Sequence, residues 1–542
     1  MLTAAQDWFQ RTFIDILRQL RWSFLPPLMV YFAAGISGLT GIVGTFFVKE
    51  YLGLSAAFLA ALTFWAGLPW ALKMPLGHLV DLIWRWKALL VYLGAALIAA
   101  SLCIMYALVM HTAAMRELMS AEAWFVVSSL LAPAGYVLQD TVADAMSVEA
   151  VPRVHADGQP LSEEETKALH TTMQTLGRMA LIGGLVFVAL LNIVMFADVE
   201  SLEQSQKADV YARIYAMALA IPLVSVSGVM LSQVMLAARA KRLREQGVGA
   251  DEADRLVYSP GETTEPNYWM FGGGAAFVAL TLAIGIGDIP LAQEIVFCGS
   301  MAIITMLIYQ LLRKLPPAKA NALIGTALII FIFRAVPLPG AGATWFMIDQ
   351  LGFDQQFLSV LSLIASCLTL IGMVLLRPLM ASRSIAYIVV LLTLASGVLA
   401  LPNIGLYYGV QEWTTRLTGG VVDAHFIAII DTTLESPLGQ VAMIPLLTWI
   451  ARNAPADLKA TFFAVMASFT NMALTASSLL TKYLNQIFLV TREVKDQATG
   501  TVQVPADYSE LGWLLITVAL IGVLAPLLTV LLVQKSRFRT HD

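Results

Sequence analysis

Charge is what this sequence has least of. Of 542 residues, 13% are Asp, Glu, Lys or Arg and 58% are hydrophobic. Mean hydropathy is +0.75. This excludes an ordinary soluble domain, where about a quarter of residues are charged. Cysteine is almost absent. Cys103, Cys298 and Cys367 each sit in an apolar run, which implies neither a disulfide framework nor a metal site. No metal-ligand cluster, no nucleophile–base constellation and no phosphate-binding glycine loop can be found. An enzyme, a resident metal, a cofactor and a nucleic-acid partner are therefore not expected. A cleavable signal peptide is not expected either. The first residues carry Asp7, Arg11, Asp15, Arg18 and Arg21, with no short apolar core before a small-residue cleavage site. The central loop, 239–267, is far shorter than the ~100-residue scale of a soluble catalytic domain.

What the chain has in abundance is apolar runs of span length. They fall at 24–47, 54–76, 88–110, 122–147, 171–196 and 211–238, then 268–288 and 290–312. Six more follow at 322–347, 356–376, 382–401, 424–450, 460–484 and 511–533. By the ~20-residue criterion this is a polytopic, all-α membrane protein of about fourteen helices. An even number places both termini on one side. Most of the 33 lysines and arginines fall in the loops of that side, so the positive-inside rule makes it cytoplasmic. Residues 1–23 place Trp8, Phe9, Phe13, Ile16, Leu17 and Leu20 on one helical face, as an interfacial amphipathic segment or an extension of the first span would.

The runs repeat. Leu52-Gly-Leu-Ser-Ala-Ala-Phe58 echoes Leu351-Gly-Phe-Asp-Gln-Gln-Phe357, each after the first span of a six-helix unit. Gly177-Arg178-Met-Ala-Leu181 echoes Thr470-Asn471-Met-Ala-Leu474, each opening a fifth span. Two echoes in matching places argue for a duplicated bundle. The expected plan is an N-terminal bundle over 24–238, the loop 239–267 and an inserted helix pair over 268–312. A C-terminal bundle over 322–533 and a tail over 534–542 complete it.

A few charges fall inside the apolar runs, where each is costly and needs a cavity or a partner. Arg334 lies about a dozen residues into its run, near mid-depth at ~1.5 Å per residue. Pro337, Pro339 and Gly340 follow, so the helix should break just beyond it. A broken helix beside an intramembrane charge is a common way to build a transporter's binding site. Glu435 sits at similar depth in 424–450, with Asp431 one turn away. In the fourth run, Trp124–Leu138 is too short to span alone, which draws Asp140 into the membrane with Asp144 one turn on. Two carboxylates so spaced need a shared proton or a cation, and Lys73 lies at matching depth. Other polar groups are expected to be ordinary. His170 and His425 lie at helix ends, Glu294 should stay hydrated, and the insert has no evident substrate role.

Gly77-His-Leu79-Val-Asp81-Leu-Ile-Trp-Arg85-Trp-Lys87 resembles the loop signature of the major facilitator superfamily, with Leu82 and Trp84 in place of its usual Arg and Gly. That implies a gating role for Gly77, which would permit close helix approach, and for Asp81, Arg85 and, nearby, Asp144. Leu68-Pro69-Trp70-Ala-Leu-Lys73-Met-Pro75-Leu-Gly77 and Asp140-Thr-Val-Ala-Asp144-Ala-Met-Ser-Val-Glu149 resemble motifs of the folate–biopterin transporter family. So do Phe333-Arg334-Ala-Val-Pro337, Gly439-Gln440-Val-Ala-Met-Ile-Pro445 and the run through Phe463 to Asn471. Met74, where that family has proline, and the inserted pair depart from the pattern.

The resemblance implies alternating access in a cell (inner) membrane by a monomer. An anionic solute, such as a folate or pterin, would meet Arg334, Lys73 and Gln440. Glu435, Asp431 or Asp140 would carry a coupling proton. Two alternatives stay open: another organic-anion permease such as a muropeptide carrier, and a membrane sensor that moves nothing.

Overall fold

A computed structural model describes residues 21–52, 54–71, 73–152, 162–197, 199–258, 268–286, 289–313, 315–376, 383–438, 459–495 and 502–540. The expected amphipathic segment and Gln440 lie outside these residues, apart from a 3-10 turn over Trp22–Phe24. Among the described residues, 11 helices are long and apolar enough to cross a membrane, with a shorter apolar helix at Phe271–Gly285. Helices over Ala424–Glu435 and Lys459–Ile487 stand at two further expected positions. The expected fourteen spans thus include stretches that are short or only partly described.

The first span is α1 (Leu25–Ile36) and α2 (Gly41–Tyr51), joined by a 3-10 turn over Ser37–Thr40. Span 2 is α3 (Ala56–Ala71) and α4 (Lys73–Leu82). Then come α5 (Ala88–Met110), α6 (Ala121–Glu149), α7 (Glu163–Met195), α8 (Gln204–Ala218) and α9 (Ala220–Glu245). The inserted pair is α10 (Tyr268–Ile286) and α11 (Ala292–Leu312). The C-terminal part, its spans counted on from six with the inserted pair left out, comprises span 7 as α12 (Pro317–Arg334) and α13 (Ala341–Asp349), then α14 (Gln355–Leu375), α15 (Ile385–Tyr407), α16 (Ala424–Glu435), span 11 as α17 (Lys459–Ile487), and α18 (Leu511–Gln534). A feature absent from the sequence reading is a small antiparallel ribbon, β1 (Val494–Lys495) with β2 (Val502–Val504), between the last two spans.

Lipid supplies no hydrophobic drive between helices, so close contact depends on small side chains. At the α5–α6 crossing, a Cβ added to Gly94 would sit 2.6 Å from the Gly135 carbonyl oxygen, and one added to Gly135 would sit 2.5 Å from that of Gly94. Ser101 and Ser128, also buried, share a hydroxyl contact of 2.8 Å along the same seam. Gln139 then donates to Ser225 Oγ at 2.9 Å, tying α6 to α9.

The two bundles meet along α3 with α17 and along α7 with α14. Phe64 and Leu68 of one half share a buried cluster with Met472 and Leu479 of the other. Asn471, from the second echo, donates to the Trp70 carbonyl at 3.1 Å. The first echo also lies at this seam. Asp354 caps α14 by accepting from Phe357 N at 2.6 Å, and Gln355 donates across to the Tyr211 hydroxyl at 3.0 Å.

A Gly135→Val change has no room and should cost about 2 kcal/mol or more through overpacking. The melting temperature of the purified protein in detergent would fall by several degrees. An unchanged melting temperature would mean that α5 and α6 do not cross this closely.

Candidate functional site

Three groups of polar side chains lie within the apolar spans. The first is built on Lys73, where α4 begins. Its Nζ lies 2.6 Å from Asp140 Oδ2 and 2.7 Å from Asp144 Oδ2. The i, i+4 spacing on α6 puts both carboxylates on one face, and one ammonium between them removes their mutual repulsion. Lys73 and Asp140 are mostly buried and Asp144 is half-exposed. Tyr31 of α1 donates to Asp144 Oδ1 at 2.7 Å. Its ring lies against Gly177 of α7, where an added Cβ would be 2.9 Å from the ring carbons. Spans 1, 2, 4 and 5 therefore converge here. The sequence placed Lys73 with the acids; Tyr31, near a span end, reads there as one of an interfacial aromatic belt, whereas its hydroxyl is turned to Asp144.

Arg178, next to that glycine, was also missed, because it reads as one more cation of the loop side. It lies within α7, one residue from the glycine that packs on the Tyr31 ring.

The second group surrounds the break in span 7. As the prolines require, α12 ends at Arg334, and Gly340 takes a left-handed φ of 80° before α13 begins. The backbone freed between them is supported by α17. Thr481 Oγ1 accepts from Leu338 N at 2.9 Å, Ser477 Oγ donates to the Val336 carbonyl at 2.6 Å, and Asn485 Nδ2 donates to that of Pro339 at 3.1 Å. Non-helical backbone at membrane depth survives only with such partners.

The third group is on α16. Asp431 is buried at 6% exposure and accepts from Asn403 Nδ2 at 2.8 Å. Its Oδ1 is buried without a partner. Glu435, at the helix end, is exposed. Among the described residues, no ion pair joins Arg334 to Glu435.

The loop signature needs correction. A Cβ on Gly77 would meet nothing within 4 Å, so Gly77 is not a point of close approach; Gly274 of the insert is, against Pro75. Among the described residues, Asp81 and the exposed Arg85 form no ion pair. Lys87 anchors the loop instead. It is buried, 2.8 Å from Glu149 Oε1 and 4.3 Å from the Trp84 ring centroid. With Trp84 where the signature has glycine, the aromatic ring supports the cation. Glu294 also departs from expectation, since it pairs with Lys482 at 2.6 Å. Among the described residues, no group of three His, Cys, Asp or Glu could hold a metal ion.

The model of the BT1 family matches residues 34–541. The chain belongs to the BT1 family. It is similar to a folate-biopterin transporter from Synechocystis sp., at 25% identity over 472 residues, spanning 85% of this chain and 75% of that protein. Its fold is similar to that of a POT family transporter in complex with a thioalcohol-conjugated peptide, with a TM-score of 0.60 at 12% identity over 95% of this chain and 96% of the other. It is also similar to the inward-open xylose transporter XylE from E. coli, with a TM-score of 0.51 at 13% identity over 96% and 97%. This BT1 protein is thus a polytopic transporter with the fold of the major facilitator superfamily, homologous to a folate-biopterin transporter.

Lys73→Met in this BT1 protein leaves two neighbouring carboxylates without their cation, at a cost of about 3 kcal/mol. Adding Asp140→Asn should restore part of the lost thermal stability. Equal melting temperatures for all three proteins would show that the group contributes nothing as an ion cluster.

Proposed function

We infer that this protein is a proton-coupled symporter of an anionic organic solute, of the folate or pterin kind, working by alternating access. The observation that carries this reading is the end of α12 at Arg334, beside a break in the span whose backbone is held by α17. A cation beside a broken intramembrane helix is suited to an anionic ligand. The printed name of the Synechocystis relative supports the choice of folate or pterin. Arg334 is the substrate's main cation. Lys73 and Gln440 are its companions from the family motifs, with Gln440 outside the described residues.

Asp431 is the proton carrier that the geometry favours over Glu435 and Asp140. A buried carboxylate whose hydrogen-bond partner among the described residues is an amide is costly, whereas a protonated carboxyl is tolerated there. Asp140 already has Lys73, and Glu435 is exposed. Proton entry at Asp431 lowers the cost of closing the C-terminal half around a bound anion. Asp81, Arg85 and Asp144 set the conformational balance at the loop side. Gly77 belongs with them as part of the loop signature rather than as a packing contact. The protein acts as a monomer in the cell (inner) membrane, with both termini cytoplasmic.

Proteoliposomes with an acidic exterior should accumulate labelled folate. Asp431→Asn should abolish that accumulation yet keep exchange of labelled for unlabelled substrate. Accumulation that survives in this variant would remove Asp431 from the proton path. Arg334→Gln should raise KM for the anion about tenfold or more, the loss of roughly one charge-assisted hydrogen bond. An unchanged KM would place the substrate elsewhere.

A further inference from the structure

The inserted helices lie outside the duplicated plan, yet they sit on the seam between the halves. α10 runs along span 2. An added Cβ on Gly274 would be 2.8 Å from Pro75, and the Phe271 ring is 4.9 Å from that of His78. α11 runs along span 11. Glu294 Oε1 accepts from Lys482 Nζ at 2.6 Å and from the Tyr483 hydroxyl.

Gln293, 8% exposed, faces both halves at once. Its Nε2 donates to the Ala61 carbonyl of α3 at 3.0 Å, and its Oε1 accepts from Lys482 Nζ at 2.9 Å. Ala61 lies near the start of α3, Gln293 at the start of α11 and Lys482 near the end of α17. By the order of the spans, all three are on the face away from the termini. Two further hydrogen bonds cross the seam on that face, Gln355 to Tyr211 and Gln356 to the Ile193 carbonyl at 3.4 Å.

We propose that the inserted hairpin is part of the transport gate. Gln293 is a positioning residue that latches span 2 to span 11 on the far face. Glu294 fastens the hairpin to span 11, so the hairpin travels with the C-terminal half. Opening the far face breaks the Gln293–Ala61 bond and leaves Glu294–Lys482 intact. The ion pair suits the permanent joint, since parting it in lipid leaves a charge uncompensated. The single neutral hydrogen bond suits the reversible one. A hairpin that merely filled space beside the bundles would have no need of a side chain bonded to both.

The test follows the conformation directly. Cys103, Cys298 and Cys367 are replaced by serine, and spin labels are placed through E117C and R416C, exposed positions on the far face of the two halves. Pulsed dipolar spectroscopy in lipid nanodiscs then reads the far-face distance. Q293A should raise the far-open population about fivefold, the order expected from one net hydrogen bond. In a second protein without labels, A61C and Q293C are joined by oxidation. Thiol-reagent access to a cysteine in the central cavity from the far side should stop, then return on reduction. An unchanged distance distribution in Q293A, or far-side access with the cross-link intact, overturns the proposal. Neither readout needs substrate, so the result does not depend on whether the cargo is a folate.

Discussion

A polar group inside a bilayer must find its partner in the protein, because lipid offers none. That constraint explains why the charged side chains of the first site are grouped with partners. Two carboxylates one turn apart on α6 have an ammonium between them and a tyrosine hydroxyl behind one of them. The backbone left open where α12 stops is taken up by Ser477, Thr481 and Asn485 of α17. The same helix carries Lys482, which reaches the inserted hairpin. α17 thus serves the seam, the broken span and the insert together. A change in its packing would reach all three.

The two halves use their charges differently. In the N-terminal half the acids are neutralised in place, by Lys73 and, at the loop side, by Lys87 on Glu149. Such closed pairs hold helices together and resist change. In the C-terminal half Asp431 is buried and accepts from the Asn403 amide, and Arg334 stands where α12 breaks off. On the reading proposed above, these are the groups that respond when a proton or an anion arrives. On that reading the C-terminal groups respond most, while Lys73 and Asp144 of the N-terminal cluster add a substrate contact and a share in the gate to their part in holding helices together.

Much of this was legible in the sequence because depth in a bilayer is a one-dimensional quantity. Run lengths place Asp140, Asp144 and Lys73 at one level, and the prolines after Arg334 end its helix where the structure ends it. What depth does not give is the azimuth of a side chain. Tyr31 reads as a belt aromatic and Arg178 as a loop-side cation because nothing in a sequence says which helix faces Asp144. Gly77 was read as a contact point from its motif, but the close approach to span 2 is made by Gly274, from a helix the motif does not cover. Glu294, at a helix start, reads as hydrated. Only the neighbouring lysine on α17, 188 positions away, shows otherwise. The short ribbon between the last two spans has too few residues for its alternation to be distinguished from loop.

The central claim is that anion and proton enter together. Proteoliposomes in a weakly buffered medium, without any imposed gradient, give the most direct test when unlabelled folate is added outside. The external pH should rise as substrate enters, and the rise should be absent with Asp431→Asn. Entry of folate, followed in parallel by label, with no pH change would contradict proton coupling and leave a uniporter or a carrier coupled to another ion.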